Sequence, residues 1–344
     1  MSVLEIDSDQ VGKVAYRRES YGGGRFRVVR LLAGAGQGYA LLTEDTWCGG
    51  MTVLKGLWWD QGHLRDEGWR PRLDRNKAQQ QQGLKAVYQA MQVTQQAPPV
   101  IDVLPEPSPT LEASGVAADE HEYFVVTEFV GIPGRPVRTL EDDIKARRRE
   151  KRPFTEDELI DLAEQLCGAL GALHARRPAK RRTPGHREEY WIHADLKPEN
   201  VLVLGPPEQY ILIDYDAAVV DGQPISTTTP AYSPPVPHGA TRNPELDKAA
   251  ERFDIYMLGA TLAEALGLSR LDEDMKRQLY GTAHEHGVAK QRLAALGGSP
   301  ILTTLIASCL AEPAYRTRNV QSIQADLARA RDGAVLSSVL LGAR

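Results

Sequence analysis

The segment His193-Ala-Asp-Leu-Lys-Pro-Glu-Asn-Val-Leu-Val203 constrains this chain more than any other, because it fixes the spacing of several reactive groups. It carries a carboxylate at Asp195, an ammonium at Lys197 and an amide at Asn200. A second carboxylate, Asp214, ends the apolar run Tyr210-Ile-Leu-Ile, eleven residues beyond Val203. Together these groups suit a metal-assisted phosphoryl transfer. Asp195 accepts the proton of an attacking hydroxyl, Lys197 neutralises the moving group, and Asn200 with Asp214 holds a divalent cation.

Residues 193 to 200 match seven of the eight positions of His-Arg-Asp-Leu-Lys-Pro-Glu-Asn. The segment therefore resembles the catalytic loop of bacterial eukaryotic-like (Hanks-type) serine/threonine protein kinases. The resemblance implies an α+β, bilobal protein-kinase-like fold with a small β-rich N-lobe and a larger, mainly α-helical C-lobe. It also implies ATP with Mg²⁺, or Mn²⁺ in its place, and a protein substrate presenting Ser or Thr. Lys197, two residues beyond the base, is typical of the Ser/Thr class rather than of tyrosine kinases.

Bulk properties fit that expectation. A chain of 344 residues is long enough for two lobes, each with its own core. With 42% hydrophobic and 25% charged residues, the composition is that of a soluble globular protein. No apolar run approaches the roughly 20 residues that cross a bilayer, and MSVLEIDSDQ lacks the pattern of a secretory signal. A cytoplasmic location is expected. Cys48, Cys167 and Cys309 form no CxxC pair, which argues against a disulfide framework or zinc site. A net charge of -5 gives no global attraction to nucleic acid. Two basic runs, 145–152 and 176–187, are either solvated surface or docking patches for an acidic partner.

Along the chain, residues 26 to 58 alternate apolar stretches with glycines and predict three antiparallel strands with a glycine-rich hairpin between the first two. Residues 74 to 96 carry apolar positions at a helical period, and strands follow near 100–104 and 123–129. Thr155 and Glu158 form a capping-box pattern ahead of a helix to His174, in which Leu159, Leu162, Leu166, Leu170 and Leu173 recur at three and four. The expected organisation is an N-terminal extension over 1–25, an N-lobe over 26–130, a C-lobe over 131–330 and a tail over 331–344.

The resemblance assigns further roles. Gly36 and Gly38 belong to the glycine-rich loop, and Lys55 takes the place of the strand lysine that holds the nucleotide phosphates. Ala40, Val53 and Leu202 flank the adenine, which bonds to the backbone of Glu128 and Val130. Asp254 anchors the catalytic loop. The departures are as informative. Ala33 and Ala35 replace glycines, Val236 replaces a glutamate that normally pairs with Arg316, and Glu245 is a candidate substitute. Between Arg75 and Ile101 no acid is available to pair with Lys55, leaving Glu67 or Asp74 for that part. Asp216 stands where the family has glycine. Ala194 replaces the arginine that ordinarily reads a phosphate on the activation segment, which makes the chain a non-RD type with atypical regulation.

Three readings compete. An active serine/threonine kinase retains the chemistry of Lys55, Asp195, Lys197, Asn200 and Asp214. A nucleotide-binding pseudokinase scaffold would explain the altered positions. A kinase of small molecules such as aminoglycosides shares the spacing from Asp195 to Asn200 but normally lacks Lys-Pro-Glu and the Thr229-Pro-Ala-Tyr232 element. The first reading is favoured, because the losses touch positioning and regulation rather than the reacting groups.

Overall fold

A computed structural model describes residues 4–8, 12–16, 18–35, 38–57, 69–108, 121–131, 137–175, 190–237, 239–267, 276–277, 279–280 and 286–342. The chain divides into two compact units, Met1–Tyr88 with Pro98–Pro136 and Gln89–Ala97 with Val137–Arg344.

In the first unit, strands β1 (Leu4–Ser8) and β2 (Gly12–Tyr16) pair with each other. A six-stranded antiparallel sheet follows. Its strands are β3 (Ser20–Tyr21), β4 (Phe26–Ala35), β5 (Gly38–Asp45), β6 (Met51–Leu57), β7 (Val100–Pro107) and β8 (His121–Glu128), in the order β3-β4-β5-β6-β8-β7. The stretch before Phe26 thus contributes a strand to this sheet. The hairpin expected between the first two long strands closes between Ala35 and Gly38.

Alternation along the strands divides the sheet into two faces. Tyr39, Leu41, Leu54, Phe124 and Val126 join Tyr21, Phe26 and Val28 in one buried cluster. Ala40 pairs with Lys55, and Val53 with Thr127, on the opposite face. Gly56 is obligatory, since a Cβ there would lie 2.6 Å from the Tyr39 ring and 2.7 Å from Phe124.

Helix α1 (Trp69–Met91) starts earlier than the periodicity suggests and ends near Met91. Gln89, in its last turn, donates from Nε2 to the carbonyls of Ala172, Leu173 and Ala175 at 3.0–3.2 Å. That side chain satisfies carbonyls which a helix end leaves without an internal partner.

The second unit is mainly helical. It contains β9 (Arg138–Thr139), α2 (Leu140–Glu150), α3 (Glu156–His174), β10 (Trp191–Ile192), β11 (Val201–Leu204), β12 (Gln209–Leu212), β13 (Val219–Val220), α4 (Glu251–Leu266), α5 (His286–Ala294), α6 (Pro300–Leu310) and α7 (Val320–Gly342). Of the tail expected over 331–344, residues 331–342 continue α7. Thr155 caps α3 through the predicted box, and all five of its periodic leucines are buried. Every residue of α4 from Phe253 to Leu266 is buried, so it is a central helix rather than an amphipathic surface one. Gly259 lets it approach α6 closely, because a Cβ there would stand 2.6 Å from Cys309 Cβ.

Within the basic run at 145–152, Arg147 differs from its exposed neighbours. It is 2% exposed and donates to Asp143 at 2.9 Å and to both oxygens of Glu158 at 2.8 and 2.9 Å, with its guanidinium over the Phe154 ring. Arg147 is therefore a core residue closing α2 onto α3, not a docking charge. The run at 176–187 lies outside the described residues. All three cysteines are free, Cys48 exposed and Cys167 and Cys309 buried.

Candidate active site

The loop from His193 to Asn200 is suspended from α4. Asp254, fully buried, accepts the backbone N–H of His193 through Oδ2 and that of Ala194 through Oδ1, each at 2.8 Å. His174 Nε2, at the end of α3, approaches Asp254 Oδ2 at 2.9 Å. Ala194 adopts φ 63°, a left-handed conformation that costs a side-chain-bearing residue about 1–2 kcal/mol. The two charge-assisted bonds that Asp254 accepts offset that strain. Ala194 is fully buried, so the position of the missing arginine faces the interior.

His193 is fully buried, and burial holds its imidazole pKa below the ordinary value, so it is neutral. Its ring meets Tyr215 edge-on, with centroids 4.9 Å apart. Its Nδ1 accepts the Asp195 N–H at 3.3 Å. Asp195 is thus held from behind by a neutral ring.

Asp195 is held by four donors. Oδ2 accepts from Lys197 Nζ at 2.8 Å and Asn200 Nδ2 at 3.0 Å. Oδ1 accepts from the Thr229 backbone N–H at 2.9 Å and its hydroxyl at 2.7 Å. Lys197 also reaches Thr229 Oγ1 at 2.7 Å, which closes a triangle of carboxylate, ammonium and hydroxyl. Thr229 lies 34 residues beyond Asp195, so no local rule produces this contact.

Asn200 ends a short 3-10 turn, Pro198–Asn200, and also donates to the Asp195 carbonyl at 2.9 Å. With Nδ2 committed to Asp195, Oδ1 is the Asn200 atom able to accept a cation. The β11–β12 hairpin pairs Val201 with Leu212, and the Asn200 carbonyl accepts the Ile213 N–H at 2.9 Å. Asp214 follows directly, at φ 63°. An amide oxygen and a carboxylate fit a hard cation such as Mg²⁺, which takes a few protein oxygens beside those of a phosphate. Among the described residues no group of three or more His, Cys, Asp or Glu forms a self-sufficient metal cage.

The segment that supplies Thr229 is anchored independently. Tyr232, 1% exposed, donates to Glu264 of α4 at 2.6 Å, and Asn243 donates to the Pro234 carbonyl at 2.8 Å. Arg316 pairs with Glu245 through Nη1 at 2.7 Å and Nη2 at 3.2 Å. Glu245 therefore occupies the role left open at Val236.

The other expected binding residues fall as follows. Ala40, Val53 and Lys55 share one sheet face of the first unit, and each is half-buried. Gly38 opens β5, while Gly36 lies outside the described residues. Glu128 ends β8 with its N–H committed to the Pro99 carbonyl at 2.8 Å, and Val130 follows, half-buried. Leu202 stands in β11 of the second unit, paired with Ile211. Of the possible acids for Lys55, Asp74 is exposed and Glu67 lies outside the described residues.

A β-rich unit, a mainly helical unit and a suspended Asp-Lys-Asn loop make up a kinase-like fold. A model of the APH phosphotransferase enzyme family matches residues 121–221. The PknI kinase domain of Mycobacterium tuberculosis, crystallised as a double mutant, is similar in fold, with a TM-score of 0.56 and 17% identity over 92% of this chain and 99% of that one. No curated protein matches the sequence. Among the described residues no helix is long and apolar enough to cross a membrane.

Proposed function

We propose that this chain is a serine/threonine protein kinase that transfers the γ-phosphate of ATP to a protein hydroxyl. The observation that carries this reading is the triangle of Asp195, Lys197 and Thr229. The family model matched above includes Asp195 and Lys197 but stops at residue 221, so Thr229 adds a contact from outside the matched segment.

The bonds to Asp195 supply a mechanism. Thr229 and Asn200 fix the plane of the carboxylate, and Asp195 takes the proton of the acceptor hydroxyl. Lys197, bridging Asp195 and Thr229, offsets the negative charge that develops beside the base. Asn200 Oδ1 and Asp214 would hold Mg²⁺ or Mn²⁺, and Lys55 the nucleotide phosphates. When bound, ATP and its cation supply the phosphoryl group and neutralise its charge. Ala194, turned inward, offers no guanidinium to a phosphorylated activation segment, so activity is independent of phosphate there.

The experiment is transfer of labelled γ-phosphate to a generic Ser/Thr protein acceptor and to a small-molecule hydroxyl acceptor, by wild type and by Asp195→Asn. Transfer to protein, lost in Asp195→Asn, is the expected result. Transfer to the small molecule alone would overturn the acceptor class. Nucleotide binding without transfer would instead support the scaffold reading.

A further inference from the structure

Lys276 is a buried lysine, 1% exposed, whose ammonium donates to the carbonyl of Pro230 at 2.7 Å and of Ser233 at 3.2 Å. Burying an ammonium carries a desolvation cost that only good hydrogen bonds offset. Here two of them go to the segment that supplies Thr229. That segment needs such donors. Pro230, Pro234 and Pro235 have no N–H, so they cannot build a backbone ladder, and the carbonyls of Pro230, Ser233 and Pro234 are taken by side chains instead.

One helical turn later, the Tyr280 N–H bonds to the Lys276 carbonyl at 2.7 Å, which brings both side chains onto one face. The Tyr280 hydroxyl donates to Glu245 Oε1 at 3.3 Å, and its ring lies 5.9 Å from the Arg316 guanidinium. A single turn therefore bonds the acceptor segment through Lys276 and the Glu245–Arg316 pair through Tyr280. In a chain with Val236 in place of the usual acid, this turn bridges the two.

We propose that the turn Lys276–Tyr280 is a positioning element for the acceptor segment 229–235, with Lys276 setting where Pro230, and through it Thr229, stands against Asp195. The proposal rests on the reading of that segment as the acceptor platform. Lys276 bonds to the backbone of Pro230 and Ser233, so it acts through Thr229.

The test compares wild type, Lys276→Met, Lys276→Arg and Tyr280→Phe, measuring KM for a protein acceptor, KM for ATP and acceptor-free ATP hydrolysis. Lys276→Met should raise the acceptor KM by roughly tenfold, equivalent to about 1.4 kcal/mol, and leave KM for ATP within about twofold. Lys276→Arg should recover most of that loss. An unchanged acceptor KM in a folded Lys276→Met protein overturns the proposal, as does an equal fall in transfer and hydrolysis without rescue by arginine. If Lys276→Met does not fold, Tyr280→Phe decides, and an unchanged acceptor KM there overturns the proposal. Should wild type transfer nothing to protein, the kinase reading fails by itself. Hydrogen exchange of the Tyr232 and Ser233 amides then tests the bracket, with roughly tenfold faster exchange in Lys276→Met expected and unchanged exchange overturning it.

Discussion

Arg316 grips Glu245 through two nitrogens, 71 residues apart in sequence, with the arginine side chain fully buried and the glutamate side chain 14% exposed. Two backbone carbonyls, of Ala311 and Arg252, also accept from Arg316. Removing one partner strands a buried charge, so Glu245→Ala should destabilise the chain by about 3–5 kcal/mol. Glu245→Gln, which keeps an acceptor oxygen, should cost less. Urea unfolding of both variants checks the order.

Thr229→Val removes the hydroxyl shared by Asp195 and Lys197 while keeping the side-chain shape. Phosphoryl transfer should fall by about tenfold to a hundredfold. Thr229→Ser, which keeps the hydroxyl, should stay near wild type. Measured kcat values for the two variants decide, and equal loss in both would count against the hydroxyl's role.

The Tyr215 hydroxyl is buried and has no hydrogen-bond partner among the described residues. Tyr215→Phe keeps the ring against His193 and removes a desolvated polar atom. Stability should rise by about 1 kcal/mol, read from the urea midpoint at unchanged slope.

Glu122 is fully buried and accepts the Leu57 N–H at 3.0 Å, while burial pushes its carboxyl up to about 7 from 4.5. The folded state holds this proton more tightly than the unfolded chain. Its contribution is therefore most favourable below pH 4.5 and is lost as pH rises through 7. Glu122→Gln keeps the bond to Leu57 and cannot ionise. The variant should gain about 2–3 kcal/mol relative to wild type between roughly pH 5 and 8, measured by unfolding at both.

Glu158 titrates in the opposite direction. Hydrogen bonding from Arg147 lowers its carboxyl to about 2 from 4.5. Its contribution is present above pH 4.5 and is lost as pH falls toward 2. Glu158→Gln should flatten the acid limb of the stability profile, and an unchanged limb would mean that other carboxylates control acid unfolding.

Replacing the exposed Ser226 and Thr227 together by Ala should leave transfer to a protein acceptor within about twofold, because no loop arginine stands at Ala194 to read a phosphate. A loss of roughly tenfold or more would require another basic group to do so.

The sequence alone determined the parts whose causes are local. The loop from His193 to Asn200 is written in consecutive residues, and α3 is specified by a capping box and a leucine period. The hairpin between β4 and β5 follows from alternation and glycine. Tertiary structure decided what becomes of each charge. Arg147 looks like its basic neighbours in sequence, yet Asp143 and Glu158 bury it. Lys276 sits in a polar stretch with no signal of its own, and only the carbonyls of Pro230 and Ser233 make it an interior residue. Val236 announced a lost ion pair, but the choice of Glu245 as replacement depended on which carboxylate the fold brought to Arg316. Periodicity and caps act over one or two turns, whereas the stability of a buried charge is set by partners that are distant in sequence and adjacent only after folding.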